Sequence, residues 1–141
     1  MALTLAAAQG MVQAALAHAR TAGFRPLSVV VLDARGAVIA AASEDGTSLK
    51  RFQIAKAKAD GALAFGLGSR ALERMAAARP TFYAGAAHVV DGLIPVAGAV
   101  LVRDVAGALI GVVGVSGDTS DNDEAAAIAG VTAAGLVADG G

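Results

Sequence analysis

The sequence contains no cysteine and no tryptophan, and only 4% of its 141 residues are aromatic. The absence of cysteine excludes disulfide bonds, thiolate catalysis and zinc–thiolate sites. Because 11 lysines and arginines nearly balance 12 aspartates and glutamates, the chain lacks the basic surface that binds nucleic acid. It also lacks the run of about 18 apolar residues that crosses a bilayer. We therefore expect neither nucleic acid nor a membrane among its partners.

Alanine and glycine are abundant instead, and hydrophobic residues make up 56% of the chain. A length of 141 residues predicts a single domain, 1–141. Small side chains bury little apolar area, worth about 25 cal/mol per Å², so self-association is expected to bury the remaining apolar surface. This predicts a homo-oligomer. The segment Met1–Thr4 lacks the basic residues of a signal peptide, which predicts a cytoplasmic protein.

Caps and breakers divide the chain into helices and short strands. Thr4 is a favourable N-cap and Gly23 a favourable stop for a first helix over about residues 5–21. The β-branched run 28–32 and the segment 37–43 predict a hairpin. The other expected elements are helices at 49–65, from Ser69 to Pro80 and at 121–138, and strands at 88–90, 93–96, 100–103 and 108–116.

The last of these helices is expected to begin with a capping box formed by Ser120 and Asp123. The element order is α-β-β-α-α-β-β-β-α, with hairpins between successive strands and no clear βαβ alternation. This order predicts an α+β fold, in which helices pack on a largely antiparallel sheet.

Four segments carry motifs in a definite order along the chain. They are AHAR at 17–20, VVVLDARG at 29–36, IAKAKA at 54–59 with Phe65-Gly66, and GVVGVSG at 111–117 with Asp123-Glu124. Together they resemble the GlcG/HbpS-like haem-binding (haem-degrading) family, which is related to the C-terminal domain of PduO-type corrinoid adenosyltransferases. The resemblance implies a profilin-like fold, dimers or larger assemblies, and haem binding in some members. The family's PGG segment, near the ligand pocket, is replaced here by Val96–Ala99.

His18 is the first candidate for chemistry. At about 100° per residue it projects opposite the polar stripe of Gln9, Gln13 and Arg20 and alongside Met11, so we expect it to face the core or an oligomer interface. A neutral imidazole there is suited to be an axial ligand of haem iron. The family resemblance implies that role for a histidine of the N-terminal helix. The alternative is a core or interface histidine bonded to a backbone carbonyl.

His88 is the second candidate, in an irregular stretch that follows Tyr83 and precedes Asp91. A histidine within reach of a carboxylate is suited to general acid or base catalysis near neutral pH. The alternative is a solvated loop histidine. Tyr83, the only tyrosine, is expected to contact the ligand.

Two cations are candidates for holding an anionic group. Lys56 shares an apolar side of its helix with Phe52, which predicts that its amine reaches a carboxylate or an anionic ligand. Arg103 ends a strand and is suited to bidentate binding of a ligand carboxylate, with a hairpin-end charge as the favoured alternative. Arg51 and Lys58 are expected on other sides of the helix, as solvent-exposed charges.

Three functions follow from these residues. The first is binding of haem or a related planar anionic cofactor, with His18 on the iron and Lys56, Tyr83 and Arg103 at the ligand. The second is a small enzyme of a catabolic pathway, acting on an organic acid without a redox cofactor, with His88 as acid or base and Lys56 or Arg103 as the carboxylate clamp. The third is an assembly domain without pocket chemistry. The resemblance favours the first.

Overall fold

One antiparallel sheet of five strands organises the computed structural model, which describes residues 1–141. The strand order across the sheet is β2-β1-β4-β3-β5, where strands are numbered along the chain. The strands are β1 (Ser28–Asp33), β2 (Val38–Ser43), β3 (Ala99–Arg103), β4 (Leu109–Ser116) and β5 (Val137–Asp139). The helices are α1 (Leu5–Ala22), α2 (Arg51–Phe65), α3 (Ser69–Ala78), α4 (Pro80–Ala86) and α5 (Ser120–Ala133).

Helices α1 and α5 cover one face of this sheet. The Thr4 hydroxyl caps α1 by accepting a hydrogen bond from the Ala7 amide at 3.1 Å, and Gly23 ends it with φ at 73°. Glycine at position 130 allows the two helices to approach closely, because a Cβ there would lie only 2.6 Å from the Met11 carbonyl oxygen. Their shared core with the sheet consists of small and β-branched side chains, among them Ala15, Ala19, Val29, Val31, Val113, Ala126, Ala127 and Val131.

Helix α2 covers the opposite face with alanines. Ala55, Ala59 and Ala62 are fully buried against Val30, Leu32, Leu101 and Val112. A Cβ at Gly114 of β4 would overlap the carbonyl oxygen of Ala55, so glycine is required where the helix backbone meets the sheet. None of the five helices combines the length and the apolar character that spanning a bilayer requires.

The predicted α+β class with an antiparallel sheet is confirmed, but the segment after Pro80 was predicted wrongly. Residues 88–90 and 93–96 form turns and loops instead of strands. Pro80 does not end a helix; it begins α4, because its missing N–H is no loss at the first helical position. Short apolar runs such as 88–90 do not by themselves distinguish a strand from a loop that packs against a neighbour.

The last helix was also predicted too long. It ends at Ala133, and Gly135 follows with φ at 74°, which is a conformation that breaks a helix. Residues Val137–Asp139 then form β5 on the outer edge of β3, with Leu101 opposite Asp139. The N-cap of α5 is Thr119, whose hydroxyl accepts from the Asn122 amide at 3.2 Å, so the predicted box of Ser120 and Asp123 is displaced by one residue.

Candidate functional site

His18 lies on the exposed side of α1, near its C-terminal end. The buried stripe of the helix contains Met11, Ala15 and Ala19, and His18 lies beside that stripe with its side chain exposed. A place in the core of the chain is therefore excluded, while a place in an oligomer interface stays a prediction. The imidazole makes no hydrogen bond or ion pair within the chain, and its ring meets Phe24 edge-on at 5.8 Å between centroids.

The other four predicted site residues lie apart from His18. His88 is exposed in the turn after α4, and no carboxylate oxygen lies within 4.0 Å of its imidazole, so the expected partnership with Asp91 is not formed. Lys56 pairs with Asp60 one turn along α2 at 2.8 Å, and Arg103 pairs with Asp139 of β5 at 2.9 Å.

Tyr83 is buried on α4 between the rings of Phe65 and Phe82, at 5.5 and 5.0 Å between centroids. Its hydroxyl lies 3.7 Å from the Met75 sulfur. No hydrogen bond or ion pair joins any two of the five predicted residues. None of the hollows in the surface of the chain is lined by any of them, so a single pocket that contains all five is not formed within one chain.

An apolar hollow of about 560 Å³ lies between the end of α2 and α4. Its walls include Phe65, Phe82, Ala86, Val89 and Val90. Phe82 is 46% exposed and Val89 85% exposed, so the hollow opens to the surface. It carries no charged side chain, and it presents apolar contact area without a group for acid–base chemistry.

Lys58 was predicted to be a solvent charge, and this prediction is wrong. Its side chain is 4% exposed and that of Asp123 is 2% exposed, with 3.1 Å between Nζ and Oδ2. The amine also donates to the Val115 carbonyl at 3.1 Å, and the other oxygen of Asp123 accepts from the Asp118 amide at 2.9 Å. Lys58 follows the buried Ala55 by three residues, a spacing that places both on one side of α2.

Arg51 is likewise not a free solvent charge, because it is half-buried at the first position of α2. Its Nε donates to the Ser48 hydroxyl and its Nη1 to the Ser116 hydroxyl, each at 3.2 Å. These contacts lie at the end of the sheet where β4 finishes, on the side that α2 covers.

Charged groups near the ends of the sheet have shifted pKa values. The pKa of Asp118 is lowered, chiefly because its carboxylate accepts from the Arg25 amide at 2.6 Å and also from the Thr119 amide and the Asn122 side chain. The pKa of Asp33 is lowered by the Arg35 guanidinium, and that of Arg70 is raised by Glu124 and Asp121.

Of the two histidines, His18 is the one that lies beside both small apolar and aromatic side chains. Ala14 and Ala22 lie one turn away on either side of it along the helix, and methyl side chains allow close approach of a flat ring. Both imidazole nitrogens are free of protein partners, and Phe24 adds an aromatic edge. The chain thus offers one nitrogen ligand beside an apolar wall, and a single histidine is a common axial ligand of haem iron.

The chain is similar to proteins of one family. The family model described as haem degrading protein HbpS-like matches residues 3–132. No curated protein sequence matches the chain. Among solved structures, a double mutant of HbpS from Streptomyces reticuli is 30% identical with a TM-score of 0.82, over 94% of this chain and 86% of that one.

Two further solved structures share the fold. The ORFY protein of Klebsiella pneumoniae is 25% identical with a TM-score of 0.84, over 94% of this chain and 90% of that one. The PduOC–heme complex is 22% identical with a TM-score of 0.87, over 99% of both chains.

Proposed function

The chain belongs to the HbpS-like family of haem-degrading proteins, and we propose that it binds haem through His18. The observation that carries the proposal is the free imidazole of His18, exposed on α1 with no partner in the chain. The description of the family and the heme bound by the related PduOC support the choice of cofactor.

The residues of this chain would contribute separate functions to such a site. His18 would supply the axial nitrogen, and the methyl groups of Ala14 and Ala22 with the ring of Phe24 would form an apolar wall. When bound, haem supplies an iron centre suited to electron transfer and O₂ chemistry. Because this wall covers only one side, we expect a second copy of the chain to cover the other side and exclude water.

Lys56, Tyr83 and Arg103 are less suited to this site than the sequence predicts. The two cations are already paired with carboxylates, and the tyrosine is buried among aromatic rings on the α2 side of the sheet. We therefore expect changes at these three residues to leave haem affinity within about twofold of wild type, since each would act only indirectly.

The test is a titration of the purified protein with hemin, followed by its Soret spectrum. We expect saturable binding by wild type and at least a tenfold higher Kd for His18→Ala, because the iron loses its protein ligand. His88→Ala is the matched control, since it removes the only other histidine, and it should bind as wild type does.

Two results would contradict the proposal in different ways. Absence of any saturable Soret change in wild type would reject haem as the ligand. An unchanged spectrum and affinity in His18→Ala would reject His18 as the iron ligand while leaving haem binding intact.

A further inference from the structure

Five of the 11 lysines and arginines form no ion pair: Arg25, Lys50, Arg51, Arg74 and Arg79. Two of these, Arg25 and Arg51, line a polar hollow of about 210 Å³ at the start of α2. Its other walls are Pro26, Gly46, Ser48 and Gly117, so no acidic side chain lines it. We call this feature the arginine hollow.

The Arg51 guanidinium is held in place by neutral groups. The hydroxyls of Ser48 and Ser116 accept one hydrogen bond each, at 3.2 Å, and Ser116 is fully buried at the end of β4. No carboxylate oxygen lies within 4.0 Å of the guanidinium. Its remaining N–H donors therefore have no partner in the chain, and their positions are set by the two serines.

Arg25 places a second cation in the same hollow. Its backbone amide donates to Asp118 at 2.6 Å, while its side chain makes no hydrogen bond or ion pair. Asp118 is the nearby carboxylate that would be expected to neutralise it. However, that carboxylate also accepts from the Thr119 amide and the Asn122 side chain, at 2.7 and 2.9 Å. The charges of Arg25 and Asp118 attract each other, but no carboxylate oxygen lies within 4.0 Å of the guanidinium, so its N–H donors remain available to another anion.

The local charge is reinforced by the backbone of α2. This helix begins at Arg51 with no side-chain cap and no acidic residue in its first turn, so its positive end is not compensated. Lys50, exposed at the N-cap position, adds a third unpaired cation next to the hollow. In a chain of net charge −1, this is a local concentration of three cations that form no ion pair, with Asp118 as the carboxylate whose charge acts on Arg25.

We propose that the arginine hollow binds a small oxyanion, the phosphate or carboxylate group of a metabolite. Planar guanidinium groups bind both kinds of oxyanion by paired, charge-assisted hydrogen bonds, and the Ser48 hydroxyl is a further polar group in the wall. At about 30 Å³ per water molecule, a volume of 210 Å³ holds one such group with a few waters and is too small for a porphyrin. The site is therefore separate from the one proposed at His18.

The test is calorimetric titration of the full chain with inorganic phosphate and, separately, with succinate, at ionic strength held constant with sodium chloride. We expect saturable binding of at least one of the two, with Kd raised at least tenfold in both Arg25→Gln and Arg51→Gln. Arg74→Gln, which removes an exposed cation that donates to the Gly141 carbonyl, is the matched control and should bind as wild type does.

Folding of the variants does not obscure the result. The Arg25 side chain makes no hydrogen bond in the chain, so Arg25→Gln should melt at the wild-type temperature even if Arg51→Gln is less stable. No saturable binding of either anion by wild type would overturn the proposal. An equal loss in Arg74→Gln would also overturn it, because the effect would then be diffuse charge screening.

A hemin titration of the same variants separates this proposal from that made for His18. If Arg25→Gln and Arg51→Gln bind hemin normally but lose the small anion, the hollow is an independent site. If they lose hemin affinity and still bind phosphate and succinate as wild type does, the independent oxyanion site is rejected.

Discussion

A buried ion pair joins α2, on one face of the sheet, to the first turn of α5 on the other. Lys58 and Asp123 lose their hydration here and regain partners from each other, from the Val115 carbonyl and from the Asp118 amide. Gly98 leaves room for the amine, since a Cβ at that position would lie 2.6 Å from it. A buried ion pair does not have to stabilise the fold more than apolar side chains of similar size would. Removing one partner, however, leaves the other charge buried without a counter-charge.

We predict that Lys58→Met lowers the free energy of unfolding by about 3–5 kcal/mol, because Asp123 would remain buried without its cation. Lys56→Met, on the same helix, removes a half-exposed pair and should cost less than about 1 kcal/mol. Urea denaturation of both variants measures the difference. Equal losses would show that the burial of Lys58 has no energetic consequence.

At the scale of elements, the loop before α5 joins the segment after α1 to the start of α5. Asp118 accepts hydrogen bonds from the Arg25 amide, which follows α1, and from Thr119 and Asn122 at the start of α5. The same loop borders the arginine hollow through Gly117. One ionised carboxylate therefore holds together two chain segments that meet at this end of the sheet, the residues after α1 and the start of α5.

This arrangement predicts a specific pH dependence. Because the pKa of folded Asp118 is lowered below that of the unfolded chain, about 3.9, its stabilisation is complete above that value and is lost as the pH falls through the folded pKa. We expect Asp118→Asn to be less stable than wild type at pH 7 and to lose less stability between pH 5 and pH 3. Thermal melts across this range measure both effects.

Glu73→Gln is a suitable control for the pH experiment. Glu73 lies on α3, and its carboxylate accepts a single, long hydrogen bond from the Ala97 amide at 3.4 Å. It should reproduce the wild-type acid profile. If Asp118→Asn also follows the wild-type profile from pH 7 to pH 3, Asp118 does not contribute to the acid sensitivity of the fold.

The whole molecule has one long unpaired sheet edge. Strand β2 contains six residues, pairs only with β1, and is exposed or half-buried along its length, with Val38 45% exposed. Free N–H and C=O groups on such an edge favour pairing with another chain. This edge is where we expect the homo-oligomer predicted from the alanine-rich composition to form.

We predict that sedimentation equilibrium gives a mass at a multiple of the 13.7 kDa chain. Val38→Glu should shift the equilibrium toward the monomer, because a charge on the outer edge opposes pairing. Val137→Glu, on the three-residue β5 at the opposite edge, is the matched control and should associate as wild type does. A monomeric mass for wild type at all concentrations would refute the prediction.

Local signals in the sequence were sufficient for much of the fold. Thr4 and Gly23 define α1, and the turn after Asp33 defines the first hairpin, because caps and turns depend on neighbouring residues alone. The face of α2 was not predictable in this way. Alanines lie on several sides of that helix, so its pattern did not distinguish the buried side, and Lys58 and Arg51 were assigned to solvent.

The sequence by itself determined the α+β class, the capped helices, the exclusion of cysteine chemistry and the choice of His18 as the residue to test. Only the tertiary structure decided that the five predicted site residues do not meet, that residues 137–139 complete the sheet, and that Lys58 is buried. Contacts between residues far apart in the chain depend on how the helices lie across the sheet, as in the pairing of Lys58 with Asp123 and the shared hollow of Arg25 and Arg51. That packing is set by long-range contacts between small side chains, which a local pattern does not specify.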